Sequence, residues 1–517
     1  MFGFLATNTI SQGVTRKGGI DQVLYKGFSI TSALKSFKWP GQASVHAAMV
    51  ISYNGHWKGS VVLNGKCVNA IDALLDVKEE NDAPPHVLIS NHGNCYQGVN
   101  TWGKEFILSE SEAASFIKAN DRNKEVIRQL IGGEEIAGAV SMNPTRWAID
   151  MGEMDEAGAS SYPEVFNFLR IHIYPSRSNM DPKKYSRIVN FWWRYFNPRQ
   201  ILYRSINDKS LSHVFARART SDYHTIERIV SNIIHLDSAV IFLYDDLAVF
   251  TVLQSSVHEV WSRKYSSSLG SGMRYIVSDC FDTFPFPAID QGSPFFDTLH
   301  AMGDRFISLR SKVCQSNNIS RTELMSSVYN ENNNQEHIRL IRDAISVLDD
   351  AVMKSYGWED IELNHGFYEW NGRVRFTISE STRDEIIRRL IKLNHKRYEE
   401  EIAQFMHSVK PISSKIRASK PKVPITAKQV GFDFGDLPSQ SKNNHLTLPI
   451  GNEWGSIASD QILAWLEAHH GWFSEVTILN GCGAPPESWD AAIAELLEDN
   501  FVECNGDDIN ARYRVRL

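Results

Sequence analysis

Two spacings of apolar and polar positions, one typical of strands and one of helices, divide the chain into segments. Near the N-terminus, apolar runs at residues 3–9 and 47–53 predict two buried strands. A basic turn at 16–19 and a partly amphipathic segment at 20–37 lie between them. The pattern predicts a strand–helix–strand unit within residues 1–82.

The following segment mixes the two spacings. Strand-like runs occur at 87–89 and 239–249, and helix-like runs at 110–119 and 123–130. We expect residues 83–289 to form one large α/β domain.

Helical periodicity takes over after residue 290. One helix is predicted by apolar residues at spacings of three and four, namely Ile338, Ile341, Ile345, Leu348 and Val352. A second long helix is expected at about 383–407, with Ile386, Leu390 and Leu393 on one face. Both helices belong to a helical domain predicted at 290–408.

Residues 409–455 are rich in Lys, Pro, Ser and Asn and lack periodicity, which is typical of a flexible linker. The final segment, 456–517, has helix starts at Ser459 and Pro485, an apolar helix at 491–497 and short strands at 501–503 and 512–515. This order predicts a small winged-helix-like module.

Composition fits several soluble domains. The chain has 517 residues, 42% of them hydrophobic and 22% charged, with a net charge of -7. No apolar run reaches the ~18 residues of a membrane span, and the N-terminus lacks a basic signal-peptide region. The six cysteines have no metal-binding or disulfide spacing. We expect a cytoplasmic protein without a membrane partner.

The opening strand resembles a motif of the gamma-class adenine-N6 DNA methyltransferases. In that family a strand of the kind GFLATNT, found here at residues 3–9, belongs to the end of the catalytic domain. An aromatic residue shortly after it stacks on the target base once the base has left the duplex. The resemblance implies this role for Trp39, with Phe37 beside it.

Stacking on an aromatic face returns about 1–3 kcal/mol, against a few kcal/mol for extruding the base. On aromatic spacing alone, Phe37 and Trp39 are better explained as core residues flanking a turn at Pro40 and Gly41. The resemblance of the surrounding sequence to the methyltransferase family favours the base-stacking role instead.

The resemblance continues over most of residues 1–408. Its order of motifs is that of the target-recognition region and helical tail of type IIG, BREX-like and DISARM-like methyltransferases. The matching segments are 132–136 (GGEEI), 143–147 (NPTRW), 253–261 (LQSSVHEVW), 274–275 (RY), 278–287 (SDCFDTFPFP), 356–358 (YGW), 375–379 (RFTIS) and 393–398 (LNHKRY).

A basic patch lies between residues 170 and 219, with two acids, Asp181 and Asp208, among eleven basic residues. For any single arginine a solvated face over a Trp-rich core is the commoner arrangement, but the whole patch favours DNA. The basic residues are Arg170, Arg177, Lys183, Lys184, Arg187, Arg194, Arg199, Arg204, Lys209, Arg217 and Arg219, and the interleaved aromatics are Tyr174, Tyr185, Trp192, Trp193, Tyr195 and Tyr203.

Seven arginines are the candidates for DNA binding, because Arg to guanine is the commonest specific base contact. Residues 143–147 are further candidates to face DNA. His258 has no evident nucleophile or partner for acid–base chemistry, so we expect a structural histidine. The seven are Arg177, Arg187, Arg194, Arg204, Arg217, Arg219 and Arg274.

Departures from the family concern the cofactor. Its members bind S-adenosyl-L-methionine through an early Gly-rich turn and hold adenine N6 with an [N/D]PP[Y/F] loop. Neither occurs here: Pro84 and Pro485 begin Pro-Pro pairs that follow alanine, Asn143-Pro144 continues as Thr145, and the glycines at 270 and 272 lie far downstream. We therefore expect no catalytic residue in this chain and no methylation by it alone.

The predicted fold is α/β: the terminal part of a Rossmann-like methyltransferase sheet, an α/β target-recognition domain, a helical domain and a winged-helix-like module. The predicted function is site-specific adenine-N6 DNA methylation in a restriction–modification or phage-defence system. The chain would be a fragment, or half of a split enzyme whose partner polypeptide carries the N-terminal half. The alternative is a non-enzymatic DNA-binding specificity subunit.

The winged-helix-like module is expected to contact protein rather than DNA. Its candidate recognition helix lacks Lys and Arg, so it would repel phosphates. It carries Glu487, Asp490, Glu495, Glu498 and Asp499.

Overall fold

The structure, a computed structural model, describes most of the chain up to residue 408 and parts of the remainder. The predicted linker at 409–455 and the acidic residues of the predicted recognition helix lie outside the described residues. The described residues are 1–40, 46–78, 84–182, 185–269, 272–289, 291–370, 372–408, 473–482, 502–505 and 512–515, with single positions at 462, 466, 489, 492, 493 and 496.

Residues 1–78 form a five-stranded sheet around a small core that includes Ile30, Ala33 and Val50. The first strand forms one edge, beside the third; the second, fourth and fifth follow. Neighbours are antiparallel except the second and fourth strands. In chain order the strands are Phe2–Thr7, Phe28–Lys38, His46–Asn54, Val61–Leu63 and Lys66–Val68. The strand predicted at 47–53 is confirmed, whereas the one predicted at 3–9 ends at Thr7, before a 3-10 turn, and has no buried residue.

The helical part of segment 20–37 is shorter than the pattern suggested. Two short helices, Gly13–Gly18 and Ile20–Tyr25, precede the second strand. Gly27 has a φ of +81°, a left-handed conformation that ends the helix. Residues 28–37 of this segment belong to the strand Phe28–Lys38.

A four-stranded antiparallel sheet, the central sheet, lies within residues 84–289. Phe215 and Phe242 pair across its middle and are fully buried. In spatial order its strands are Glu227–Val230, His213–Ala218, Ala239–Phe242 and Cys95–Gln97. These strands hold the segments from which the candidate site is built.

Two smaller sheets flank the central sheet. The first contains Ile234–His235, Ile127–Ile131, Arg146–Ile149 and Ile107–Leu108. The second contains Thr220–Ser221, Gly272–Arg274 and Ser267–Leu269. The helices of the region are Glu110–Ala119, Gly133–Gly138, Glu156–Ser160, Pro163–His172, Tyr174–Ser178, Ser186–Asn190, Gln200–Asp208, Leu247–Gln254, Ser256–Tyr265 and Val277–Cys280.

Local predictions in this region had mixed outcomes. The helix at 110–119 is confirmed, with a capping box between Ser109 and Glu112. The helix predicted at 123–130 is wrong, because a 3-10 turn, Asp121–Glu125, leads into the strand Ile127–Ile131. The strand at 87–89 is also wrong, since a 3-10 turn begins at Ile89. The run 239–249 is a strand to Phe242 and a helix from Leu247.

Long helices dominate residues 291–408, and both predicted ones are confirmed. A β-hairpin of the strands Gly366–Trp370 and Arg373–Thr377 lies between the helices Glu336–Tyr356 and Glu380–Ser408. The helices are Phe296–Asn317, Arg321–Val328, Glu336–Tyr356 and Glu380–Ser408.

These helices share a hydrophobic core with the central sheet. Phe250 and Trp261 from the sheet side and Phe306 and Leu390 from the helices belong to the same buried cluster. Helix Phe296–Asn317 packs so closely on Leu247–Gln254 that a Cβ at Gly303 would lie 2.6 Å from the Leu247 carbonyl oxygen. The core therefore crosses position 290.

In the C-terminal module the structure describes the helix Glu475–Cys482 and a sheet of Phe473–Ser474, Arg512–Val515 and Val502–Asn505. Buried apolar side chains such as Ile478 and Trp489 form a core of their own. The strands Val502–Asn505 and Arg512–Val515 lie close to the predicted positions, and Phe473–Ser474 was not predicted. The winged-helix assignment stays a prediction.

Candidate nucleic-acid interface

The charges of three arginines from separate segments act on one half-buried carboxylate, that of Asp237. Burial raises the pKa of Asp237 above its ordinary value, while Arg219, Arg199 and Arg274 each act in the opposite direction. We call the three side chains the arginine cluster.

Strand pairing places two members of the cluster side by side. Arg219 follows the strand His213–Ala218, and its N–H donates to the Ser238 carbonyl at 2.8 Å. The Arg219 carbonyl accepts from the N–H of Tyr275 at 2.8 Å. Arg274 pairs with Thr220 in the neighbouring sheet. Arg219 thus lies where the central sheet meets the neighbouring sheet, which carries Arg274, and it bonds to the residue that follows Asp237.

Arg199 reaches the same place through a different connection. It precedes the helix Gln200–Asp208 with a left-handed φ of 50°, and its N–H donates to the side chain of Asn197 at 3.2 Å. Asn197 and Asn100 exchange two backbone hydrogen bonds of 2.9 Å. Next to Asn100, the Val99 carbonyl accepts from the N–H of Asp237 at 2.8 Å.

The charges of the cluster favour an anion. Three positive charges act on a single carboxylate, that of Asp237. The Arg274 side chain is exposed, and Arg199 and Arg219 are partly exposed. Guanidinium groups in this setting can bind phosphate oxygens or the acceptor edge of guanine.

Two further predicted arginines remain on or near the surface. Arg204 is exposed on the helix Gln200–Asp208, and Arg187 is partly exposed on the short helix Ser186–Asn190. Their assignment to DNA stays a prediction.

Arg177 is removed from the candidates by its burial. Its side chain is 1% exposed, and its guanidinium donates to the carbonyls of Trp192 at 2.8 Å, Thr101 at 2.7 Å and Trp102 at 3.1 Å. Burial lowers the pKa of Arg177 to about 10. The group is used to hold loops together, so it cannot reach a phosphate.

Arg217 is removed for the same reason. It is fully buried, its Nη1 lies 3.1 Å from Nδ1 of His224, and its guanidinium lies 4.8 Å from the ring centre of Tyr275. Burial lowers the pKa of this arginine to about 10. A charge pattern along the sequence does not distinguish Arg217 from the partly exposed Arg219 two positions later.

Arg194 is also committed within the protein. It forms an ion pair with Glu153 at 2.7 Å, donates to the Met154 carbonyl and lies 4.2 Å from the ring centre of Phe191. The aromatic residues Trp192, Trp193 and Tyr195 are buried core residues. They pack, and they do not offer a surface for stacking.

His258 is structural, as predicted. Its Nδ1 donates to the Leu253 carbonyl at 2.8 Å, and its Nε2 lies 3.1 Å from the hydroxyl of Tyr275. Burial holds the pKa of His258 well below its ordinary range, which keeps the ring neutral. Because Tyr275 follows Arg274, this contact fixes the strand that presents the arginine.

Phe37 and Trp39 lie at the C-terminal end of the strand Phe28–Lys38 in the N-terminal sheet. Phe37 pairs with Ala47 beyond a β-bulge, and Trp39 follows the strand directly; both are partly exposed. Residues 41–45 of the connection lie outside the described residues. The flipped-base role stays a prediction.

The segment 143–147 is largely occupied by internal contacts. Arg146 forms an ion pair with Glu135, and Trp147 packs against the core beside the strand Ile127–Ile131. Among the described residues, no group of three or more His, Cys, Asp or Glu side chains could hold a metal ion, and no helix is long and apolar enough to cross a membrane.

Comparison with known proteins identifies the segment that contains the arginine cluster. Residues 88–288 match the family model described as "MmeI, target recognition domain". This segment is similar to a DNA target recognition domain. A solved structure of the type IIL restriction–modification enzyme MmeI in complex with DNA has a similar fold, with a TM-score of 0.59 and 18% identity.

The similarity to that structure covers 77% of this chain and 50% of MmeI. The chain therefore spans about half the length of that enzyme. No curated protein matches the sequence. What the MmeI match supports is DNA target recognition of the restriction–modification kind by residues 88–288.

Two residues of this region were not anticipated from the sequence. Asp237 stands in an ordinary polar turn, and only the fold brings the arginines to it. Trp102 is exposed in the loop next to Asn100, and no spacing distinguishes it from the buried tryptophans.

Proposed function

We propose that this chain recognises the DNA target of an adenine-N6-specific enzyme in a restriction–modification or phage-defence system. The observation that carries the proposal is the arginine cluster, which lies within the segment matched to the MmeI target recognition domain. Exposed arginines supply the phosphate and guanine contacts that such recognition needs.

Methyl transfer requires residues that the sequence does not contain. It has neither the Gly-rich turn nor the [N/D]PP[Y/F] loop with which the resembled family holds S-adenosyl-L-methionine and adenine N6. We therefore assign no step of methyl transfer to this chain. In the proposal a partner polypeptide supplies the cofactor site, while Trp39 and Phe37 stack on the extruded base.

DNA binding is the first test. Fluorescence anisotropy with randomised duplex DNA should show binding that weakens steeply with salt, because binding releases counterions from the phosphates. Absence of binding at low salt would refute the proposal.

A second test separates the enzyme from its alternative. Transfer of labelled methyl groups to unmethylated DNA should occur only when the product of the adjacent upstream reading frame is mixed with this chain. The missing loop favours one other function, a non-enzymatic specificity subunit. DNA binding without transfer in any mixture would select that alternative.

A further inference from the structure

Trp102 differs from the other tryptophans of residues 88–288. It is 41% exposed, whereas Trp192, Trp193 and Trp261 are buried and Trp147 is half-buried. Leaving an indole in water forgoes the burial that normally stabilises this residue type. The exposed part of the indole is therefore available to a binding partner.

The backbone of Trp102 is strained. Its φ is +40°, in the left-handed region that a bulky side chain rarely adopts. Strained residues of this kind are concentrated at functional sites and persist only where the surroundings hold them.

A buried arginine supplies the restraint. Arg177 donates to the carbonyls of Thr101 and Trp102, and the N–H of Trp102 donates to the side chain of Asn100 at 2.9 Å. The indole meets Phe196 and Tyr185 edge to face, at 4.5 Å and 5.5 Å between ring centres. The side chain is thus exposed and also fixed in direction.

The loop lies next to the arginine cluster. Two residues before Trp102, Asn100 pairs with Asn197, which in turn receives the N–H of Arg199. Val99 accepts the N–H of Asp237. Hydrogen bonds therefore join the loop that carries Trp102 to the segments that carry Arg199 and Asp237.

We propose that Trp102 stacks on a base of the bound duplex, as a fixed wedge beside the phosphates held by the arginine cluster. The inference rests on the proposed DNA recognition and adds a base contact to it. Apolar side chains inserted at a base step offset the loss of base stacking with their own contacts. A residue whose direction is set before binding loses little freedom when it does so.

Binding of a randomised duplex pool by the full chain tests the wedge. Trp102→Ala should weaken binding by roughly 5- to 150-fold, which is the range found for one base–aromatic stack, and should leave the salt dependence unchanged. Trp102→Phe should keep most of the affinity. The matched control is Leu340→Ala, which removes another exposed apolar side chain on a helix outside the matched segment.

Trp102→Gly distinguishes a binding role from a structural one. Both variants lose the contacts of the indole with Phe196 and Tyr185, but glycine adopts a φ of +40° without strain, so Trp102→Gly should melt no lower than Trp102→Ala while DNA binding falls as far. A lower melting temperature with unchanged binding would overturn the wedge.

Fluorescence provides an independent readout. The wild-type spectrum minus that of Trp102→Phe reports this one indole, and added duplex should quench it by stacking. Equal binding by Trp102→Ala and the wild type would overturn the inference alone. No binding by the wild type would remove the proposed recognition function together with it.

Discussion

The hydroxyl of Tyr275 lies 3.1 Å from Nε2 of His258, inside the core that supports the arginine cluster. Because Nδ1 of His258 donates to the Leu253 carbonyl at 2.8 Å, Nε2 of the neutral ring is an acceptor and the tyrosine is its donor. Tyr275 directly follows Arg274. A buried hydrogen bond thus fixes the strand that carries the exposed Arg274.

Replacing Tyr275 by phenylalanine should destabilise the protein by about 1–3 kcal/mol, because the buried nitrogen of His258 loses its donor. Urea denaturation followed by circular dichroism measures the change. Tyr25→Phe is the control, since Tyr25 is 87% exposed. An unchanged midpoint would mean that Ser262, whose Oγ lies 3.3 Å from the same nitrogen, takes over the donor role.

Alanine at Arg219 or Arg274 should weaken duplex binding and lower its salt dependence. Each phosphate contact contributes about 0.9 to the slope of log affinity against log salt concentration, so each variant should lower the slope by about 1. Anisotropy titrations over a range of salt concentrations measure this. Arg388→Ala on the helix Glu380–Ser408 is the control. Unchanged slopes in both variants would place the DNA elsewhere.

Asp237→Asn should tighten binding to randomised duplexes several-fold, because a negative charge among three arginines is removed. Competition binding at two salt concentrations measures the effect. Weaker binding, together with an altered sequence preference, would instead show that the carboxylate contacts DNA directly, as when Asp accepts from cytosine N4.

The same substitution should change the pH dependence of stability. Burial raises the pKa of Asp237, so the folded state holds this proton more tightly than the unfolded state. The stabilisation from this group is complete below the unfolded pKa and is lost as pH rises through the raised one. Asp237→Asn should therefore be more stable than wild type at neutral pH, and the difference should vanish in acid. Thermal melts across that range measure it.

Glu227→Gln should destabilise the protein by about 3–5 kcal/mol. Its buried carboxylate pairs with Arg310 at 2.9 Å and with Arg321 at 3.2 Å, and an amide leaves both arginines without their counter-charge. Guanidinium chloride unfolding measures the loss. Glu385→Gln, at a partly exposed ion pair, should change stability by less than about 1 kcal/mol.

The elements that the sequence predicted correctly are those whose signals are local. The capping box of the helix Glu110–Ala119 is contained in the four residues from Ser109 to Glu112. Ile338 and Ile341 mark the buried face of the helix Glu336–Tyr356. The strand Ile127–Ile131 was missed because its pairing with Arg146–Ile149 is a tertiary contact that a short apolar run does not reveal.

The candidate site was predictable only as a region. A count of charges between residues 170 and 219 indicates DNA, and the MmeI match covers the same segment. The count of charges does not distinguish Arg217, which is buried against His224, from Arg219, which is partly exposed two positions later. Asp237 and Trp102 join the site through tertiary hydrogen bonds, and that information lies in the fold.

The ion pairs of Glu227 also determine how much of the chain must be present for the recognition segment to fold. A polypeptide that ended near residue 288 would keep Glu227 and lose both of its arginines, and it would expose Phe250 and Trp261 to water. Such a fragment should aggregate when expressed by itself. Exchange of recognition segments between proteins therefore has to carry the following helices along, or supply a surface that replaces them.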